Sequence, residues 1–117
     1  MSNKEIGIFG ENMAISHLSE LGYEIMHRNW RYKHLEIDII ANKDNLLHII
    51  EVKTRTSIEF GYPEQFIHRK KMQFLKNGAA FFQYENPSWK YLQFDVISIF
   101  LNDQQIWELA FFEDVYF

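Results

Sequence analysis

Cysteine is absent from this sequence. That excludes a disulfide framework, a thiolate metal site and a cysteine nucleophile. Proline and glycine are scarce, at 2 and 5 in 117 residues, while hydrophobic residues make up 47%. A disordered or collagen-like chain is therefore excluded. No apolar run approaches the ~20 residues of a helical membrane span. The first residues carry no signal-peptide h-region, so a cytoplasmic setting without membrane contact is the expectation. A chain of 117 residues suits one domain, able to bury roughly two thirds of its unfolded surface.

Positive charge is also missing from one stretch. Residues 91–117 hold no Lys or Arg but five acids: Asp95, Asp103, Glu108, Glu113 and Asp114. The net charge of −4 is concentrated there, because residues 1–90 hold 12 basic and 11 acidic groups. Within 53–76 six bases (Lys53, Arg55, Arg69, Lys70, Lys71, Lys76) face two acids (Glu59, Glu64). A local basic face is compatible with this distribution, although the global field would not steer a polyanion strongly.

The elements follow from local signals. Ser2-Asn3-Lys4-Glu5 reads as a capping box. Behind it Ile6, Gly10, Met13, Ala14, Leu18 and Leu21 recur at the helical period, and Gly22 is a natural stop. Strands are predicted over 23–32, 36–41 and 46–54, the last two separated by Asn42-Lys43-Asp44-Asn45. After the break Gly61-Tyr62-Pro63, a second helix runs from Pro63 to about Tyr84, ended by Asn86-Pro87. Strands over 91–101 and 106–112, around Asn102-Asp103, close the chain. The order α-β-β-β-α-β-β predicts an α/β fold, with helices flanking a mixed sheet.

If Asp44-Asn45 form a two-residue hairpin turn, residue i pairs with residue 89 − i. Asp38 then faces Glu51, Glu36 faces Lys53, and all four lie on one face of the sheet. Directly opposed Cβ atoms sit about 4.5–5.5 Å apart, and two carboxylates there need a proton or a cation between them. An exposed polar face is the simpler reading of such a pair. Ile39-Ile40 and Ile49-Ile50 argue against it, because they put apolar residues on both faces. Carboxylates in covered strands need compensation. A hard divalent cation supplies it, with Lys53 beside the same site.

Two further charges belong to the helices. Glu11 shares a helical face with Gly7, Ala14 and Leu18, where small residues allow close approach to the sheet; a surface acid favoured by the helix dipole is the equal alternative. Lys71 interrupts the stripe Ile67, Phe74, Leu75, Ala79 and Phe82, for which a snorkelling lysine is the simpler account. The five histidines (His17, His27, His34, His48, His68) lack zinc-protease spacing. Surface or packing roles are expected for them.

Asp38, twelve intervening residues and Glu51-Val52-Lys53 fit the PD-(D/E)xK nuclease signature. More closely, the chain resembles the YraN-like family of small endonuclease-like proteins, itself similar to archaeal Holliday-junction resolvases. The resemblance rests on Gly7, Gly10-Glu11, Ala14, Gly22-Tyr23, Asn29-Trp30-Arg31, Glu36-Ile37-Asp38-Ile39-Ile40, Glu51-Val52-Lys53-Thr54-Arg55, Phe60-Gly61, Lys71 and Phe94-Asp95-Val96. Leu35 and Gln93 stand where the family usually has Gly and often has Arg.

The resemblance implies a restriction-endonuclease-like core and a Mg²⁺- or Mn²⁺-dependent endonuclease acting on branched or structured DNA. Asp38 and Glu51 would be metal ligands, with the Val52 carbonyl as a third. Lys53 would orient the attacking water and stabilise transition-state charge, and Glu11 would assist metal or water binding. Glu36 would support the site or partner Lys53, and Lys71 would stand behind the same site. Arg28, Arg31, Arg55, Arg69 and Lys70, together with Lys76, are candidate phosphate contacts. Trp30 and Tyr32 are either core residues or stacking partners for unpaired bases. Resolvase-like enzymes act as homodimers, and Phe111, Phe112, Tyr116 and Phe117 would either form that interface or close the core. The competing expectation is a non-cleaving nucleic-acid-binding or scaffold protein that keeps the nuclease fold.

Overall fold

The computed structural model describes residues 1–56, 69–102 and 107–115. Helix α1 spans Asn3–Glu20. Ser2 caps it: its hydroxyl accepts the Glu5 N–H at 3.1 Å while the Glu5 carboxylate accepts the Ser2 N–H at 3.0 Å. The helix ends where Gly22 takes φ +90°, a conformation that side-chain-bearing residues avoid. Strands β1 (Glu24–Tyr32), β2 (Leu35–Lys43) and β3 (Leu46–Arg55) follow, then helix α2 (Arg69–Glu85) and strands β4 (Leu92–Leu101) and β5 (Trp107–Phe112). The predicted order is the observed one. The expected start of the second helix at Pro63, with Ile67 on its stripe, lies outside the described residues, as do Phe60-Gly61, Glu59, Glu64, His68, Asp103, Ile106, Tyr116 and Phe117. Among the described residues no helix is long and apolar enough to cross a membrane.

The five strands form one mixed sheet in the order β1-β2-β3-β4-β5. All neighbours are antiparallel except β3 and β4, which are parallel. A parallel pair needs a long crossover, and the connection that contains α2 supplies it. The β2–β3 hairpin keeps the expected register, with Ile39 opposite Ile50 and Lys43 opposite Leu46. Asp44 and Asn45 both have positive φ, at 54° and 65°. Short polar residues tolerate that conformation, and it matches the twist of the strands.

Each face of the sheet carries its own core. On one, Met72, Leu75, Ala79 and Phe82 of α2 pack on Ile37, Ile40, Leu47, Ile49 and Phe94. On the other, Ala14 and Leu18 of α1 pack on Ile39, Ala41, Ile50, Ile97 and Ile99. Phe111 joins this second core and contacts Tyr23 and His17.

Strict alternation would put Ile37 on the same face as Ile39. Instead Ile37 sits with Ile40 in the α2 core, so the pleat is broken at Asp38. The break continues into β1, where Asn29 has φ 51°. Arg28 there bonds to α1, while Trp30 packs against α2.

Glycines on α1 set how closely it lies on the sheet. A Cβ on Gly10 would overlap the Thr54 hydroxyl, whereas one on Gly7 would meet nothing within 4 Å. Gly10→Ala is therefore expected to cost about 1–3 kcal/mol by overpacking. Gly7→Ala should be neutral or stabilising by up to about 1 kcal/mol, the ordinary helix gain. Urea denaturation of the two variants checks the opposite signs.

Candidate functional site

The β2–β3 ladder stops at the Ile39–Ile50 pair. Beyond it the Asp38 side chain substitutes for the strand partner: its Oδ2 accepts the Val52 N–H at 2.9 Å. The direct Asp38–Glu51 ladder pair expected from the register is thus replaced by a side-chain-to-backbone bond across the same gap. The two acidic groups remain near enough for the Glu51 charge to act on Asp38. Glu51 is 3% exposed. Its Oε1 lies 3.3 Å from Lys53 Nζ and 3.4 Å from Lys71 Nζ. Its Oε2 is buried and has no hydrogen-bond partner.

Burial pushes the Asp38 carboxyl up to about 7, and the neighbouring Glu51 charge adds to the rise. The Val52 N–H and the Lys71 ammonium oppose it. The pair therefore resists carrying two negative charges, even with Lys71 beside it.

Asp38, Val52 and Lys53 open into a groove of about 750 Å³ that runs between the end of β3 and the N-terminal half of α1. Glu11 forms part of the α1 wall. Its Oε1 accepts from Arg28 Nε at 3.1 Å and from Asn29 Nδ2 at 3.0 Å. The left-handed turn at Asn29 is what brings that amide to the helix. Lys4, Arg31 and Arg55 line the same groove.

Several expectations need correction. Glu36 does not partner Lys53; it pairs at 3.3 Å with Arg31, its cross-strand neighbour on β1, while its charge still acts on Asp38. Lys53 pairs with Glu51 instead. Lys71 is not a bystander on the stripe's edge, since its ammonium reaches Glu51. Arg28 spends its guanidinium on Glu11 and Asn12. Arg31, Arg55, Arg69 and Lys70 are exposed. Trp30 packs edge-on against Phe82, and Tyr32 stacks on Phe81 with ring centroids 3.5 Å apart, so both rings serve α2 packing.

One cluster escaped the sequence reading. His48 Nδ1 lies 2.7 Å from Asp95 Oδ2, and both residues are buried. The other Asp95 oxygen accepts the Gln93 amide at 2.8 Å and the Asp114 N–H at 2.9 Å. Gln93 thus makes an internal bond. The Tyr23 ring stands edge-on to His48 at 4.9 Å, and its hydroxyl donates to Glu113 at 3.3 Å. Burial and the Glu113 and Asp95 charges raise the Tyr23 hydroxyl to about 12.

Among the described residues no group of three or more His, Asp or Glu side chains gathers to hold a metal ion. The Asp38–Glu51 pair is a two-carboxylate arrangement. Such a set suits magnesium, which commonly takes one or two carboxylates and completes its shell with water and phosphate oxygens. The unpartnered Glu51 oxygen beside a reluctantly ionised Asp38 fits that donor chemistry.

The chain matches the family described as "Uncharacterised protein family UPF0102" over residues 10–99. It is 36% identical over 115 residues to the UPF0102 protein FP2501 of Flavobacterium psychrophilum, covering 98% of this chain and 96% of that one. A UPF0102 protein of Flavobacterium johnsoniae is 40% identical over 106 residues, covering 87% of this chain and 86% of its own. One from Caldicellulosiruptor bescii is 43% identical over 104 residues, at 87% of each chain.

Proposed function

The chain belongs to the UPF0102 family, the family of YraN-like proteins, and from that premise we propose that it is a divalent-metal-dependent endonuclease hydrolysing phosphodiester bonds of branched or structured DNA. The core would be restriction-endonuclease-like, with β2, β3 and the two helices carrying the site. One observation carries the reading: a buried Glu51 oxygen has no partner, and its charge together with burial pushes the neighbouring Asp38 carboxyl up to about 7. Isolated buried polar atoms are costly, and a cation bound between the two carboxylates removes that cost.

Asp38, Glu51 and the Val52 carbonyl would hold Mg²⁺ or Mn²⁺, which when bound supplies Lewis-acid charge on a phosphate oxygen and a more acidic water. The chain's own groups do the remainder. Lys53, whose ammonium can only donate, lies within reach of both Glu51 and the groove, where it orients the attacking water and stabilises developing phosphate charge. Lys71 holds Glu51 from the α2 side. Glu11, fixed by Arg28 and Asn29, faces the same groove from α1 and assists water or metal binding. Arg31 and Arg55 stand on the wall where a phosphate backbone would pass, and nothing there reads base sequence.

The expected result is metal-dependent nicking of branched DNA that falls by at least about a hundredfold in Lys53→Ala, with an unchanged circular dichroism spectrum. Equal cleavage by wild type and variant would overturn the reading.

A specific observation favours the scaffold alternative. Lys53 and Lys71 both lie against Glu51 Oε1, so two cations already offset one carboxylate without metal. Calorimetric titration separates the two. Millimolar Mg²⁺ or Mn²⁺ binding that is lost in Glu51→Ala supports the enzyme, and cleavage-free DNA binding indifferent to metal supports the scaffold. A homodimer in sedimentation, with paired symmetric nicks, belongs to the enzyme reading.

A further inference from the structure

Away from the carboxylate pair, α2 and the β1–β2 hairpin tip form a second surface of distinct composition. From Arg69 to Tyr84 the chain holds four cations and no acid. Lys71 at its start touches Glu51, so the surface begins at the site itself. Lys70 lies 5.9 Å from the Phe74 ring centre, and His34 from the hairpin tip meets the same ring edge-on at 5.6 Å. One to two turns farther along α2, Tyr32 stacks on Phe81 at 3.5 Å and 11°. Lys33 lies 5.4 Å from the Tyr32 ring centre. Tyr84 follows, tilted 32° to Phe81 with centroids 6.4 Å apart, and it is 82% exposed. An open tyrosine face thus stands at the end of a ring stack, with cations beside the stack. Water gains little from it, and Tyr84 adds nothing to the core.

We propose that this face of α2 binds a single-stranded segment of nucleic acid, with Tyr84 stacking on an unpaired base. From Lys71 to Tyr84 the helix spans about 20 Å, room for a short run of nucleotides. Charge complementarity names the occupant. A polyanion meets the four cations of residues 69–76 favourably, Glu85 at the far end of α2 being the helix's one acid, and ring faces add affinity only when bases are unpaired, because a duplex buries its base faces within the stack. The inference deepens the nuclease reading by giving the substrate a single-stranded arm, but binding on this face does not require cleavage.

The test measures anisotropy of a labelled oligothymidylate and of a duplex of equal length, in EDTA so that nothing is cut. The single strand should bind more tightly than the duplex. Tyr84→Ala should weaken single-strand binding about five- to tenfold and leave duplex binding unchanged, while Tyr84→Trp retains affinity. Lys70→Ala should lower the salt slope by about one and Tyr84→Ala should leave it unaltered. Wild-type affinity in Tyr84→Ala, no binding of the strand, or equal binding of strand and duplex would overturn the proposal. The two readings fail separately. Cleavage with no Tyr84 effect removes this inference and keeps the nuclease, whereas Tyr84-dependent binding without any metal-dependent cutting does the reverse.

Discussion

Exchanging Asp38 for asparagine is expected to stabilise the metal-free protein at about pH 8 by roughly 2–4 kcal/mol while abolishing metal-dependent cleavage. The reason is the position of its carboxyl. Burial and Glu51 lift the folded-state value to about 7 from an ordinary 3.8. Between those two values the folded protein binds the proton and the unfolded chain does not. Stability contributed by this group is therefore complete below about pH 4, falls as pH rises, and levels off above about 7. Asparagine keeps an oxygen to accept the Val52 N–H but carries no charge to be forced into the site.

The gap between variant and wild type should accordingly be small near pH 4 and widen to its full value by about pH 7. Titrating groups remote from Asp38 are common to both proteins and cancel in the comparison, so the gap reports Asp38 together with the charges coupled to it, Glu51, Lys71 and Glu36. Urea denaturation across that range measures it, and a gap that stays flat or reverses sign would show that Asp38 is not the strained group. Adding Mg²⁺ at about pH 8 should stabilise the wild type alone, since only the ionised pair offers a cation its ligands, and so narrow the gap.

Much of this site was legible in the sequence because it rests on local rules. The Asp44-Asn45 turn fixed the hairpin register, and Ile39 does face Ile50. The capping box at Ser2 placed Glu11 on a helix whose small residues meet β3. Lys71 was visible as a charge interrupting an apolar stripe, although only the packing of α2 on the sheet shows that it reaches Glu51. The fate of Glu36 was hidden. Alternation holds only while the pleat is regular, and the pleat breaks at Asp38, opposite the left-handed Asn29. Asn tolerates that conformation, but nothing in its neighbours announces that it adopts it. The His48–Asp95 pair was hidden for a different reason. Its members are 47 residues apart on parallel strands, and their register depends on the whole crossover, not on any turn.

That buried pair leads to the other large effect. Asp95→Ala should destabilise the protein by about 3–5 kcal/mol, a large share of the 5–15 kcal/mol typical of a domain. Asp95 is a hub: one oxygen meets the His48 imidazole, and the other accepts from Gln93 and from the Asp114 backbone. Removing it strands three buried or half-buried donors at once and leaves a cavity between β3 and β4. The C-terminal end of the chain loosens with it, because the Asp114 bond lies next to the Val115 N–H bond to the Phe94 carbonyl. Asp95→Asn, which keeps two of the three contacts, should cost less than half as much. None of His48, Gln93, Asp95 and Asp114 lines the groove of Asp38 and Lys53, so both variants should retain cleavage per folded molecule under conditions where they remain folded. Denaturant midpoints give the stability loss, and specific activity normalised to folded fraction gives the second quantity. A loss of activity in well-folded Asp95→Asn would mean that this cluster takes part in the chemistry and is not only a tie between β3, β4 and the chain end.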